Sequence, residues 1–437
     1  MAVQMWMSQM LDVIVDMGRH YLDSPGKRHS FDYVQEMCQT LLDRKGEASG
    51  TALAKEIINS YDKMKPEVKV RFLIMLTTEF APDPEPIIQA SKDYIKKQDA
   101  ANLFNLNKVS EAPRLELLRL LNIAPGAMPS LVAMRLLLLN EIKKRPMLRP
   151  LETDMFHVLS SWFNRGFLSF QQIDWNTPAV ILEKLIAYEA VHEIKGWRDL
   201  RRRLSEDRRC FAFFHPALLN EPLIFVEVAF TKGIAEKIQP LLELNKQNKK
   251  SPTPDTAIFY SISNCQEGLK GISFGNFLIK QVVDSITKEL PQIKTFSTLS
   301  PIPKFNKWLS TDYIKRKTSI FTANEKKQLS QDNWFNDEQI RKKLRKKITH
   351  ICAIYLSQEK KRKNNKPFDP VTRFHLGNGA EIENINWDAD ISETGLKQSA
   401  GLMVNYKYNP LKIISNHESY VNEGKIILSS KVKKLLN

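Results

Sequence analysis

From Met1 to about Phe170 the apolar residues recur at intervals of three and four, the spacing that lines one face of a helix. Leu115, Leu118 and Leu121 form one such stripe behind Ser110-Glu111-Ala112-Pro113, where an early proline suits a helix start. Leu131, Met134, Leu138 and Ile142 form another after Pro129-Ser130, and Trp6, Met10, Ile14 and Met17 predict a core-facing helix at the N-terminus. Breaks at Ser24-Pro25-Gly26, Pro82-Asp83-Pro84 and Pro125-Gly126 divide the pattern into further helices. Alternating β-branched runs are few. Residues 1–170 therefore read as an all-α helical bundle.

The period changes after about Gln171. Arg209–Phe214 and Leu223–Phe230 read as strands joined by a turn around Asn220-Glu221-Pro222, and Ala257–Ser263 as another strand. Asn276–Leu290 is helical in pattern, with Phe277, Ile279, Val282, Val283 and Ile286 on its apolar face, and Thr295–Leu299 is extended. Strand, helix and strand at this spacing form a βαβ unit, so residues 171–437 read as an α/β domain and the whole chain as an α+β multidomain protein. Asn245–Pro254, polar and lysine-rich, is expected to be a surface loop. Phe374-His375-Leu376 turns at Gly377-Asn378-Gly379, which predicts a hairpin with His375 on one strand.

Composition narrows the partners. Of 437 residues, 42% are hydrophobic and 26% charged, which argues against disorder over most of the chain. The formal charge of +16 calls for an anionic partner: nucleic acid, anionic lipid or a polyphosphate-bearing metabolite. Cys38, Cys210, Cys265 and Cys352 lie far apart, which suits a reducing compartment and argues against a disulfide framework or a compact zinc site. No apolar run reaches the length of a membrane span. The N-terminal stretch lacks the basic residues of a presequence and the last residues are not a peroxisomal signal, so a cytoplasmic protein is expected.

Two segments hold candidate chemistry. Ser300 follows the extended run Thr295–Leu299, and Pro301 and Pro303 stop that strand, so a stiff backbone presents its hydroxyl at a strand end. Gly268 to Asn276 lies between a strand and a helix, where glycines allow close approach and a helix start suits phosphate. Taken alone, this loop also reads as an ordinary turn, Ser300 as a turn residue, His375 as a structural histidine, and Tyr406 and Tyr408 as strand aromatics. The histidines show no metal-ligand spacing. In Arg341-Lys342-Lys343-Leu344-Arg345-Lys346-Lys347 the apolar positions Ile340, Leu344, Ile348 and Ile351/Cys352 keep helical spacing, so a helix with a solvated lysine face explains this basic run without nucleic acid.

Thr298-Leu299-Ser300-Pro301-Ile302-Pro303-Lys304-Phe305 and Phe374-His375-Leu376-Gly377-Asn378-Gly379-Ala380 resemble the malonyl-CoA decarboxylase family. So do Glu189-Ala190-Val191-His192, Arg208-Arg209-Cys210, Glu221-Pro222-Leu223, Gly275-Asn276-Phe277-Leu278-Ile279-Lys280, Ile385-Asn386-Trp387 and Gly401–Tyr408. The resemblance implies an N-terminal helical domain that mediates self-association, followed by a catalytic domain of acetyltransferase-like (GNAT-like) fold. It places the catalytic serine and histidine on Ser300 and His375 and the associated tyrosine on Tyr408. It also assigns coenzyme A to the loop of Lys270, Gly271, Ile272, Ser273, Phe274, Gly275 and Asn276, together with Ser300 and His375. Some members have a glutamate where this chain has Ser273, so a role for that acid is not transferred. Animal members carry organelle-targeting ends, which this chain is expected to lack.

The implied activity converts malonyl-CoA to acetyl-CoA and CO2 through a thioester enolate. His375, near its ordinary pKa of about 6.5, is expected to protonate the enolate with Ser300 assisting. No metal or separate cofactor is expected, because the thioester accepts the electron pair and coenzyme A is part of the substrate. The expected partners are malonyl-CoA and further copies of the chain, as a dimer or tetramer through the helical domain. Neither nucleic acid nor a membrane span is expected. A coenzyme A-dependent acyl- or acetyltransferase of the same fold is the enzymatic alternative, and a basic nucleic-acid-binding protein the non-enzymatic one.

Overall fold

The structure, a computed structural model, describes residues 31–43, 46–244, 253–272, 278–316, 318–331, 333–360 and 366–437. The predicted N-terminal helix, residues 245–252 of the lysine-rich loop and Ser273, Phe274, Gly275 and Asn276 lie outside them. The chain forms two compact units, Met1–Ser169 with Phe214–Glu221 and Gln266–Phe274, and Phe170–Phe213 with Pro222–Cys265 and Gly275–Asn437.

The first unit is helical, as the periodicity predicted. Among its described residues, helices run at α1 Phe31–Asp43, α2 Glu47–Lys63, α3 Pro66–Thr78, α4 Pro84–Lys96, α5 Ala100–Ser110, α6 Pro113–Leu121, α7 Ala127–Glu141 and α8 Arg149–Trp162. Pro113 occupies the first turn of α6, where its missing N–H costs no hydrogen bond, and Leu117, Leu118 and Leu121 are buried. α7 starts after Gly126, whose φ of 72° is left-handed, and buries Leu131, Met134 and Leu138. α4 and α5 differ from the rest. Asp83 and Asp99 cap their starts, yet α4 buries only Ala90 and α5 buries no residue.

The second unit is a mixed α/β domain built on an eight-stranded sheet: β1 Ser169–Ile173, β2 Arg208–Phe214, β3 Pro222–Thr231, β4 Thr256–Asn264, β5 Thr295–Thr298, β6 Ser300–Pro301, β7 Glu381–Asn386 and β8 Met403–Tyr408. The strand order is β1-β2-β3-β4-β5-β8-β6, with β7 also on β8. β2 and β3 are buried almost throughout, which accounts for their continuous apolar runs. β3 and β4 are antiparallel, and a bulge shifts their register between Glu227 and Val228. β4 and β5 run parallel, as a crossover through a helix requires.

Four helices of this unit matter below: α9 Trp197–Arg203, α10 Leu278–Glu289, α11 Glu338–Ser357 and α12 Pro370–Gly377. α10 is the crossover between β4 and β5. α11 carries the basic run, burying Leu344, Ile348, Ile351 and Cys352 while Lys342, Lys343 and Lys346 face solvent. All four cysteines are buried and free. No helix among the described residues is long and apolar enough to cross a membrane.

Candidate active site

Ser300 and His375, 75 positions apart in sequence, meet in the second unit, with Ser300 Oγ 2.9 Å from His375 Nε2. The serine is set by a break in the sheet. β5 ends at Thr298, Leu299 N–H bonds to the Phe259 carbonyl at 3.0 Å, and β6 resumes with Ser300 opposite Val404. The histidine is set by a helix rather than a hairpin. Asp369 Oδ1 accepts the Thr372 N–H at 2.9 Å and Pro370 fills the first turn, a cap-and-proline start that commits Pro370–Gly377 to α12.

His375 therefore lies in the last turn of α12, and the predicted hairpin is corrected. Asn378 N–H closes the helix on the Phe374 carbonyl at 3.1 Å, and β7 begins only at Glu381. Gly379 makes the exit with φ 82°, and a Cβ there would fall 2.1 Å from the Ile413 carbonyl oxygen, so only glycine fits.

Tyr408 completes the arrangement. Its hydroxyl is 2.8 Å from His375 Nδ1. Burial holds its pKa well above the usual tyrosine value, so the phenol keeps its proton. Because Ser300 Oγ donates to Thr298 Oγ1, it accepts from His375 Nε2, which leaves Nδ1 of a neutral ring to accept from the Tyr408 hydroxyl. The hydrogen of a neutral imidazole then sits on Nε2 and is donated to Ser300 Oγ. Ser300 Oγ in turn donates to Thr298 Oγ1 at 2.9 Å, which also accepts the Tyr406 N–H at 3.1 Å. Donation runs one way, from Tyr408 through His375 and Ser300 to Thr298. Tyr406 stacks on the imidazole at a centroid distance of 4.4 Å and bonds Thr372 Oγ1 at 2.8 Å. Strand alternation explains why Tyr406 and Tyr408 both reach α12.

His375 is 2% exposed, and burial lowers its pKa to about 3. This corrects the expectation of a histidine near its ordinary value: at neutral pH the imidazole is uncharged. A stability effect follows. Unfolded, the ring titrates near about 6.5, so between that value and the folded one the unfolded chain holds more protons. Stability should therefore drop as the pH is lowered through this window, by up to about 1.4 kcal/mol per pH unit for this residue. His192, which burial pushes down to about 4 against the pull of Asp390, adds to the same slope. His375→Asn should remove one proton's share of it, read from urea midpoints at about pH 6 and about pH 4.5. Equal slopes in parent and variant would contradict a buried neutral His375.

Thr298, Asn405 and Asp369 escaped the sequence reading. Thr298 stands two residues before Ser300 on extended backbone, a same-face signal that was available. Asn405 Nδ2 bonds the Thr298 carbonyl at 2.7 Å, and its Oδ1 accepts from Asn386 Nδ2 at 2.7 Å, which pins β8 beside the serine. Of the glycine loop, Lys270, Gly271 and Ile272 are described and belong to the first compact unit, whereas Ser300, His375 and Tyr408 belong to the second. Among the described residues no group of three or more His, Cys, Asp or Glu is placed to hold a metal ion.

A second polar cluster lies buried in the same unit. Arg203, at the end of α9, bonds Glu227 Oε2 at 2.7 Å, Asp199 Oδ1 at 3.1 Å and the His192 carbonyl at 2.8 Å. Burial pushes the Glu227 carboxyl up, and the Arg203 guanidinium beside it pulls it back toward the ionised form. Glu189 accepts the N–H groups of Val191 and His192 at 2.8 Å each and the Ser261 hydroxyl at 2.7 Å, which fastens Glu189-Ala190-Val191-His192 to β4.

Residues 166–437 match the malonyl-CoA decarboxylase C-terminal domain, and residues 80–163 match the N-terminal domain of the same proteins. The chain belongs to the malonyl-CoA decarboxylase family. A crystal structure of a malonyl-CoA decarboxylase from Rhodopseudomonas palustris superposes with a TM-score of 0.86 at 45% identity, covering 93% of this chain and 99% of that one. One from Agrobacterium vitis gives 0.84 at 44% identity, covering 92% and 99%. A mitochondrial malonyl-CoA decarboxylase of Anser anser anser is 39% identical over 302 residues, 63% of this chain. That match spans 59% of the length of the goose relative.

Proposed function

We propose that this chain decarboxylates malonyl-CoA to acetyl-CoA and CO2, with Ser300, His375 and Tyr408 as its reacting centre. The observation that carries this reading is the 2.9 Å contact of Ser300 Oγ with Nε2 of the buried His375 in a chain of this family. Loss of CO2 leaves the bonding pair on the adjacent carbon, delocalised onto the thioester oxygen as an enolate. That carbon must then take one proton.

An uncharged imidazole gives Ser300 the delivering role. Its hydroxyl hands the proton to the enolate carbon, the His375 Nε2–H bonds the oxygen left behind, and a solvent proton restores the hydroxyl. Charge-assisted hydrogen bonds of this kind are about twice as strong as neutral ones. Positioned proton transfer typically contributes about 10²–10⁴-fold. The thioester is the electron sink, so this chemistry uses no further cofactor. Incubating the protein with malonyl-CoA alone and measuring acetyl-CoA tests the reading. No acetyl-CoA without an amine or thiol acceptor would favour acyl transfer instead.

The loop Lys270 to Asn276 is proposed to hold coenzyme A, as the resemblance implies. The helical part of the chain, proposed as residues 1–170, is assigned to self-association and residues 171–437 to catalysis. The α4–α5 hairpin supports self-association: Ile95 is 74% and Phe104 71% exposed, with Ile88 and Leu103 also in solvent. Two such hairpins from two copies would bury these residues as a symmetric bundle. Ile95→Glu with Phe104→Glu should lower the mass seen by light scattering at micromolar concentration. An unchanged mass would remove the hairpin from the interface.

A further inference from the structure

Tyr406 of β8 touches both sides of the Ser300–His375 pair. Its ring lies on the imidazole of His375, 4.4 Å between centroids and 23° from parallel. Its backbone N–H reaches Thr298 Oγ1, the acceptor of the Ser300 hydroxyl, at 3.1 Å. The hydrogen bonds at His375 Nδ1 and Nε2 fix only an axis through the two nitrogens. Rocking about that axis would swing the Nε2–H out of line with Ser300, and a hydrogen bond weakens steeply as it bends. A ring laid on the imidazole face blocks that motion.

The tyrosine is itself held. A hydroxyl has one hydrogen, and Thr372 gives its own to Asp369 Oδ1 at 3.2 Å. Thr372 Oγ1 therefore accepts from the Tyr406 hydroxyl at 2.8 Å. Burial, helped by the Asp369 carboxyl, holds the Tyr406 pKa well above the usual tyrosine range, so the phenol has a hydrogen to give. Donation runs from Tyr406 through Thr372 to Asp369, away from the histidine. Asp369 ends this chain at 0% exposure, and burial raises its pKa. Asp83, Asp99 and Asp337 cap other helices and all reach solvent. A cap alone does not call for a buried carboxyl, which is costly to take out of water. We infer that Tyr406 is a positioning residue for the reaction, clamping the imidazole of His375 toward Ser300, with Thr372 and Asp369 as its anchor. This inference rests on the reading that Ser300 and His375 are the reacting pair.

The test uses the full chain with malonyl-CoA, and NMR of isotope-labelled histidine nitrogens, in which His375→Asn assigns the His375 signals by their loss. Tyr406→Leu removes the ring and keeps the backbone N–H. It should lower kcat about tenfold with KM within about twofold, because a misaimed group costs rate rather than binding. The His375 signals should move from one protonated and one bare nitrogen toward an average. Tyr406→Phe, which keeps the ring, should recover part of the rate. Tyr406→Phe and Thr372→Val cut the same link, so each should lower kcat about threefold and the double variant scarcely more. A kcat within about twofold of the parent in Tyr406→Leu would overturn the inference. So would a lower kcat with the His375 signals unmoved, since that pattern marks lost packing rather than a lost clamp. If Tyr406→Leu does not fold, Tyr406→Phe and Thr372→Val decide, and parental kcat with unmoved signals in both would overturn it. A parental rate in His375→Asn would instead sink the reading on which the clamp depends.

Discussion

His375→Asn should slow decarboxylation by about 10²-fold or more while the protein still binds a non-reactive malonyl-CoA analogue, and Ser300→Ala should do the same. The two losses share one cause. His375 has its Nε2–H on Ser300, and Ser300 has its hydroxyl held between His375 and Thr298. Removing either end leaves the other unable to hand over a proton, so the double variant should be scarcely slower than the worse single one. Their stability costs differ. Ser300→Ala leaves the buried Nε2–H without its acceptor, at about 1–3 kcal/mol. Rates close to the parent in both single variants would make this pair structural and sink the proposed mechanism.

Arg203→Met should destabilise the protein by about 3–5 kcal/mol, because it leaves Glu227 fully buried without its counter-charge. The mutation also strips a donor from Asp199 and from the His192 carbonyl. Replacing both partners, Arg203→Met with Glu227→Leu, should recover much of the loss, since an apolar pair has no charge to strand. Urea midpoints of the two variants measure the difference. A single variant as stable as the parent would show that the pair contributes nothing. A double variant worse than the single would put the cost in the α9 contacts rather than in the stranded carboxylate.

Much of this fold was legible because burial is written into period. The apolar runs Arg209–Phe214, Leu223–Phe230 and Ala257–Ser263 fall within β2, β3 and β4, whose side chains are almost all buried. The leucine stripes of α6 and α7 were read for the same reason. The His375 segment shows the limit of that reasoning. Seven residues of mixed polarity fit a strand edge as well as a helix end, and the deciding information sat earlier, in Asp369-Pro370. Ser300 and His375 were each singled out, but their meeting depends on β6 and α12 converging across 75 positions, which no local pattern encodes. The low pKa of His375 was out of reach because burial is a property of the packed domain. The Glu227–Arg203 pair was hidden for a related reason: a glutamate inside an apolar strand is informative only once its partner is known.

The position of β8 also governs when Ser300 and His375 acquire their order. This strand pairs with β5, β6 and β7, and it supplies Tyr406 and Tyr408 to the histidine. Tyr406 N–H reaches Thr298 across 108 positions of chain, a closure that forms slowly. On the ribosome, Ser300 and His375 emerge well before the tyrosines that orient them. Until β8 inserts, nothing selects the histidine tautomer and nothing steadies Thr298 beneath the serine. If Ser300 and His375 act as proposed, a nascent or half-refolded chain would carry both side chains without the order that their chemistry requires.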